Sequence, residues 1–330
     1  MYTSVRYIFV CGFAAIALVM SACSGNGGLQ PNTSAPGTLA TNQGAPANDL
    51  AISQGRDFGT LVVDPNAPAP QVDNQYLHIN RLPGQVLSPP TDSSSLDLID
   101  HGGVVTHGAT QYNIYVNCAS SCWGVPAGFQ VRLGLSGMML IVNQYGAAGN
   151  YDYSGAAQVT YSNAHTLYDV DMWKLIRAYI NKFHTTTGYA AIYNVFLNKG
   201  IDECVKFRGT TQYACYSPDV PAKFKFCAYH SSADFLGIGH VLYTVEPYQD
   251  ISACHSPPPT PNSSLADSTD STLSHEVFET ITDPDGHSWF NQNGDEIGDI
   301  CRPFYQIVSL HGHQYKIQGE YSNRISACAW

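Results

Sequence analysis

Charge is scarce in this 330-residue chain: Asp, Glu, Lys and Arg together make up 12% of it, about half the ~25% of an average soluble domain. Basic residues are the scarcer part, 15 Lys and Arg against 26 Asp and Glu, for a formal net charge of −11. That balance excludes the basic patches that nucleic acid requires and electrostatic docking on an anionic membrane. The uncharged apolar stretch at residues 8–20 falls short of the ~20 residues that span a bilayer. Also missing are a Gly-x-Ser-x-Gly elbow, a P-loop, a dinucleotide fingerprint, any Cys-x-x-Cys pair and any internal repeat. What is present is material for a core. Apolar residues reach 44% and aromatics 12%, with 21 Tyr, too much to bury for a disordered chain. The length suffices for one large domain or two small ones. Ten cysteines suit an exported protein better than a cytosolic one.

Arg6 followed by the apolar residues 8–20 has the layout of a signal peptide, here residues 1–22. Ser21-Ala22-Cys23 resembles a bacterial lipobox, although Met20 stands where Leu is usual. Cys23 is then the lipidation site; otherwise an ordinary signal peptide is cut nearby. Either way the expectation is export, to the outer face of a bacterial membrane through a lipid anchor or to the extracellular medium. Residues 23–95 read as a flexible tether rich in Pro, Gly, Ser and Asn. Within it residues 57–63 can pair as a short strand, before Pro65, Pro68 and Pro70 resume the linker. The single folded domain is expected over 96–330.

That domain reads as α/β (α+β). Residues 111–116 alternate as a strand, and 138–142 form a short buried apolar run. Residues 169–183 predict a helix, because Val170, Trp173, Leu175, Ile176, Tyr179, Ile180 and Phe183 form one stripe. Further strands are expected at 190–197, 224–229 and 240–245. A polar loop at 255–272 then leads into a second helix. Setting aside Cys11 and Cys23, eight cysteines remain, an even number that suits four disulfides. Sequential pairing, 118 with 122, 204 with 215, 227 with 254 and 301 with 328, is the simplest of many connectivities. Cys118 and Cys122 can alternatively act as a redox or metal pair.

The chemistry concentrates in residues 271–301. With Leu273 at 0° and about 100° per residue, Leu273, Val277 and Ile281 share one apolar face. His275, Glu279 and Thr282 fall together at about 180–240° on the opposite, wet side, flanked by Glu276. A His and a Glu four residues apart can hold one divalent ion, as in the His-Glu-x-x-His zinc helix with its second His replaced by Glu279. In such sites the metal lowers the pKa of a bound water to about 7, and the flanking Glu takes its proton. The added carboxylate also admits Ca²⁺ or Mn²⁺. Downstream, Asp283, Asp285, Asn291, Asn293, Asp295, Glu296 and Asp299 supply oxygen donors, with glycines to turn the chain. Glu296 is favoured over Asp285 as a third ligand. A solvated acidic turn remains the alternative.

The run His275-Glu276-x-x-Glu279, Thr282-Asp283-Pro284, Trp289 and Glu296-Ile297-Gly298-Asp299-x-Cys301 resembles the exordium or phosphate-induced family, secreted plant proteins with bacterial and fungal relatives. His101-Gly102-Gly103-Val104-Val105, Cys227-Ala228-Tyr229-His230 and Tyr321-Ser322-Asn323 extend the likeness over residues 98–330. It departs around Tyr115-Val116-Asn117 and in the Cys118–Cys122 insert. The resemblance implies an exported, disulfide-stapled, zincin-like mixed sheet with a backing helix and an active-site helix. It implies site positions at His275, Glu276, Glu279, Glu296 and Asp299. His230, on a strand, is a further candidate or else a satisfied core histidine.

Two functions compete. In the first, a zinc-dependent hydrolase of metallopeptidase type acts on a peptide or protein substrate. His275 and Glu279 ligate with Glu296 or Asp299, and Glu276 is the base. In the second, the same residues hold a structural Ca²⁺ or Zn²⁺ in a non-catalytic surface module that binds a cell-surface polymer or protein. A hydrogen-bonded network with no ion is the plainest alternative.

Overall fold

Seven strands form the central sheet of the computed structural model, which describes residues 55–82, 96–162, 165–206 and 212–330. They are β1 (Arg56–Val63), β2 (Val72–Arg81), β3 (Ala109–Val116), β4 (Tyr151–Tyr161), β5 (Ala191–Leu197), β6 (Phe226–Phe235) and β7 (Gly239–Glu246). Their spatial order is β1-β4-β3-β5-β7-β6-β2. Pairing is parallel from β1 to β7; β6 and then β2 add antiparallel at the far edge. Three α-helices cover the sheet: α1 (Pro126–Gly134), α2 (Asp169–Phe183) and α3 (Ser264–Thr282). Alternate side chains feed two cores, as a sheet covered on both faces requires. Tyr112, Ile114 and Val116 pack with Leu175, Ile176 and Tyr179 of α2. Tyr115, Ile192 and Phe196 pack on the other face with Phe129 of α1 and Leu273, Val277 and Ile281 of α3. The mixed α/β class expected from the sequence is therefore the one observed.

Helix α2 occupies the predicted residues. Of its stripe Leu175, Ile176, Tyr179 and Ile180 are buried and Val170, Trp173 and Phe183 half-buried, the Asp171 carboxylate accepts the Tyr168 N–H at 2.9 Å, and two first-turn aspartates complement the helix dipole. Helix α3 departs from expectation twice. It begins at Ser264, within the predicted loop, where the Ser263 hydroxyl accepts the Ala266 N–H at 3.0 Å. It also has no wet side, since every residue from Ala266 to Thr282 is buried beneath β6, β7 and the hairpin Tyr305–Leu310/His313–Gln318. The apolar run at 138–142, expected to be buried, lies in a 3₁₀ segment, Gly137–Tyr145, that buries Met138, Met139 and Val142 but leaves Leu140 65% exposed; an unbroken apolar run by itself fixes neither the element nor full burial.

The short strand expected at 57–63 forms one sheet edge as β1, and residues 72–81, expected to be tether, form the other as β2. Leu77 and Ile79 of β2 pack on the α2-side core while Tyr76, His78 and Asn80 take the opposite face. The signal segment, Cys23 and the remaining tether at 23–54 and 83–95 lie outside the described residues. The sequential cysteine pairs, Cys118–Cys122, Cys204–Cys215, Cys227–Cys254 and Cys301–Cys328, are all at disulfide distance, which suits an oxidising, exported environment. Among the described residues no helix is long and apolar enough to cross a membrane.

Candidate metal centre

A polar row crosses the sheet beneath α3. Register makes direct neighbours of His78 on β2, His230 on β6, Thr244 on β7, Asn194 on β5 and Asn113 on β3, and directly opposed residues share a face. Toward the sheet centre the row satisfies itself. Thr244 donates to Asn194 Oδ1, and Asn194 to Asn113 Oδ1, each at 3.1 Å. Toward β6 and β2 the amides give way to two stacked imidazoles, His230 and His78, 5.5 Å apart. Over them α3 lays His275, Glu276 and Glu279, and the segment before Cys301 adds Glu296 and Asp299.

His275 Nε2 lies 3.1 Å from Glu279 Oε1, the predicted i,i+4 pair. His230 Nδ1 stands 3.4 Å from Glu279 Oε2 and 3.5 Å from Glu276 Oε2, and its Nε2 is 3.5 Å from Glu296 Oε2. His78 bridges the outer side, with Nδ1 2.9 Å from Glu296 Oε1 and Nε2 2.8 Å from Asp299 Oδ2. Donor atoms within 4.8 Å of one another form three overlapping sets: His78, Glu279 and Asp299; His230, Glu279 and Glu296; His275, Glu276 and Glu279. Glu279 belongs to all three.

Burial makes this cluster costly as protein alone. His230, His275, Glu276, Glu279 and Glu296 are at most 1% exposed. Yet both nitrogens of His230, Nε2 of His275, both oxygens of Glu276 and one oxygen each of Glu279 and Glu296 make no hydrogen bond. All but Glu276 Oε1 lie at ion-pair distance, 3.1–3.5 Å, from a charged neighbour without meeting hydrogen-bond geometry, and a buried polar atom left without a hydrogen bond costs about 1–3 kcal/mol. A divalent cation answers this pattern. Nitrogen and oxygen donors about 2.0–2.2 Å from one ion stand roughly 3–3.5 Å apart, like the contacts above. The residues fit zinc in a nitrogen and oxygen site, or a harder cation at its carboxylate-rich side.

Neighbouring residues fix the donors. The Asp299 N–H donates to Glu279 Oε1 at 3.1 Å, and Tyr76 donates to Glu296 Oε1 at 2.6 Å. Gln318 Nε2 donates to the Gly298 carbonyl at 2.6 Å and lies 3.0 Å from His275 Nδ1. Gly298 is a glycine for space: a Cβ there would sit 2.4 Å from His275 Nδ1. Gly286, at φ +70°, makes the same close approach to the Tyr76 ring.

The charges are strongly coupled. Burial pulls the His230 imidazole down, but Glu296, Glu276 and Glu279 outweigh it and raise it to about 10. Burial likewise opposes charge on His78 and His275, whose carboxylate neighbours still hold both above the ordinary imidazole value. Burial lifts Glu296 to about 7 and raises Glu276. On Glu279 the imidazoles of His275 and His230 overcome burial and hold the carboxyl well below its usual range.

Of the residues singled out in the sequence, His275, Glu276, Glu279, Glu296, Asp299 and His230 converge here. Asp283 instead ends α3, its carboxylate accepting the Ser288 N–H at 2.7 Å. Asp285 stands apart, accepting from Tyr189 and Ser232 at 2.5 Å each and lying 3.1 Å from His240 Nε2. Sequence reasoning missed Tyr76 and His78; the alternation of Tyr76, His78 and Asn80 with Leu77 and Ile79 was the available signal. The chain matches no known family profile, no curated protein and no solved structure.

Proposed function

We propose that the chain is an exported zinc-dependent hydrolase of metallopeptidase type, lipid-anchored through Cys23, that acts on peptide or protein substrates. The observation that carries this reading is the convergence of buried donor atoms that make no hydrogen bond around the His275–Glu279 pair. His275, Glu279 and Glu296 hold the ion, with His230 completing the set and Asp299 bracing it through Glu279. Bound zinc supplies Lewis acidity and a water acidified to near neutrality. Glu276 is the base: burial raises its carboxyl, and neither oxygen makes a hydrogen bond, Oε2 facing His230 Nδ1 at 3.5 Å, so the carboxylate can accept and pass on a proton. Substrate approaches along a cleft of about 570 Å³ lined by Asn74, Tyr76, Tyr189, Asp234, His240 and Asp285, which adjoins the site through the Tyr76–Glu296 hydrogen bond. Likeness to the exordium family, with its zincin-like helix, is consistent with this reading.

Complete burial of His230, His275, Glu276 and Glu279 favours a second reading, a structural Zn²⁺ or Ca²⁺ in a non-catalytic module that binds a cell-surface polymer. Glu276→Gln separates the two. Under the first reading the variant folds and retains its metal but loses cleavage of a peptide library. Cleavage equal to the parent's refutes Glu276 as base and the hydrolase assignment with it.

A further inference from the structure

The donor set exceeds what one ion uses. We propose that the centre is binuclear: an inner divalent cation on His275, His230, Glu296 and Glu279, an outer one on His78 and Asp299, and Glu279 spanning both. This rests on the metal-centre reading above and leaves Glu276 uncoordinated as the base.

Geometry divides the donors in this way. Glu279 turns one oxygen to His275 Nε2 at 3.1 Å and the other to His230 Nδ1 at 3.4 Å, while it also closes a donor set with His78 and Asp299. A carboxylate facing donors on several sides is the usual bridge between two cations about 3.5–4 Å apart. The outer donors meet at His78 Nε2, which lies 2.8 Å from Asp299 Oδ2 and shares a donor set with Glu279, while Nδ1 of the same ring turns to Glu296 at 2.9 Å. Asp299 Oδ1 is 3.9 Å from His275 Nε2, so the two sets adjoin without merging.

Charge counting gives the same answer independently. Glu276, Glu279, Glu296 and Asp299 are joined by Glu320, which is fully buried, has both oxygens unpartnered, and faces the charges of Glu279, Glu276 and Asp299. Against these five carboxylates Arg302 supplies one positive charge, at Asp299. Glu246, fully buried with one oxygen unpartnered and facing the charge of Glu276, is a sixth carboxylate, so with all six ionised and neutral imidazoles one divalent ion leaves three buried negative charges and two leave one. Unpaired buried charge is among the costliest arrangements a protein can hold. The inner imidazoles are sealed, whereas the His78 side chain is 15% exposed, so the outer ion exchanges with solvent and the inner one is retained.

Elemental analysis of the full, folded chain after zinc loading and dialysis tests this. Two equivalents are expected, with His78→Gln holding one and a mild chelator removing one well before the other. One equivalent in the parent overturns the binuclear proposal and leaves the single-ion reading standing. No zinc in a folded sample overturns both. If His78→Gln does not fold, as judged by circular dichroism, cobalt(II) titration of the parent decides. A break at two equivalents, with the second addition weakening the paramagnetic signal of the first through the shared carboxylate, supports the pair. A break at one overturns it.

Discussion

Replacing Gly298 by Ala changes one methyl group at the point where the chain passes closest to His275. Gly298 has φ −78° and ψ −39°, a conformation open to any residue, so the substitution carries no backbone penalty. Its cost is contact alone. The new Cβ would lie 2.4 Å from His275 Nδ1 and 2.8 Å from Cε1 and Cγ, where ordinary contact begins near 3.4 Å. The ring or the loop must therefore move by about 1 Å. The ring has nowhere to go: it is fully buried, backed by Gln318 and faced by Glu279. Overpacking of this kind costs about 1–3 kcal/mol, and each kcal/mol lowers the melting temperature by about 2–4 °C in a domain of this size. Turning a liganding imidazole also weakens metal affinity, by about 10–100-fold when its support is disturbed. Thermal melts and chelator competition read the two effects separately. Gly137→Ala, with open space around its Cβ, is the neutral control. A Gly298→Ala protein that melts and binds zinc like its parent would refute the packing argument and the place of His275 in the centre.

A chain truncated to residues 96–330 loses β2 and with it Tyr76 and His78; it should fail to retain metal and should expose the edge of β6, which light scattering and metal analysis will detect. Metal retention equal to the full chain's would show β2 to be dispensable. Replacing both Cys301 and Cys328 by Ser opens a loop with a sequence separation of 27 beside Asp299. The expected loss is about 3–4 kcal/mol, read by denaturant unfolding, with weaker zinc binding; no loss in either would count against the loop as a support. The His240–Asp285 contact predicts a pH window. Burial acts against Asp285, but His240, Ser232 and Tyr189 hold its carboxyl down at about 2, so its contribution is present above about pH 4 and lost as pH falls toward 2. His240 is raised, since Asp285 and Asp234 outweigh its burial. Its contribution is present below about pH 6.5 and lost as pH rises through the elevated value. His240→Asn should flatten both limbs of melting temperature against pH, and an unchanged profile would contradict the pairing.

The sequence was most legible where apolar residues set the pattern. Helix α2 matches its predicted span because an apolar stripe and a polar back leave one orientation, and β5 and β7, buried on both faces, came within a residue or so of their predicted bounds because their apolar runs are nearly unbroken. Legibility failed where the buried residues are polar. The first turns of α3, Ser264 to Asp270, carry mostly Ser, Thr and Asp, so they read as loop although the structure buries them. For the same reason the face of His275 and Glu279 read as wet: a helical wheel shows that polar residues share a side, not whether a sheet edge and a hairpin close over them. The residues of the centre contributed by α3 and the 296–299 segment were readable from spacing because they are local. His78 was not, since its neighbour His230 is more than a hundred residues away and only the β2–β6 register joins them. Prolines at 65, 68 and 70 hid the alternation that follows them.

The central claim, a zinc centre built from imidazole and carboxylate, is tested most directly by X-ray absorption at the zinc edge on the purified full chain. The account predicts retained zinc in a shell of nitrogen and oxygen donors at about 2.0–2.1 Å, with imidazole scattering that weakens in His275→Ala as one of its imidazoles is removed. A sulfur shell, or a folded chain that retains no zinc, would contradict it.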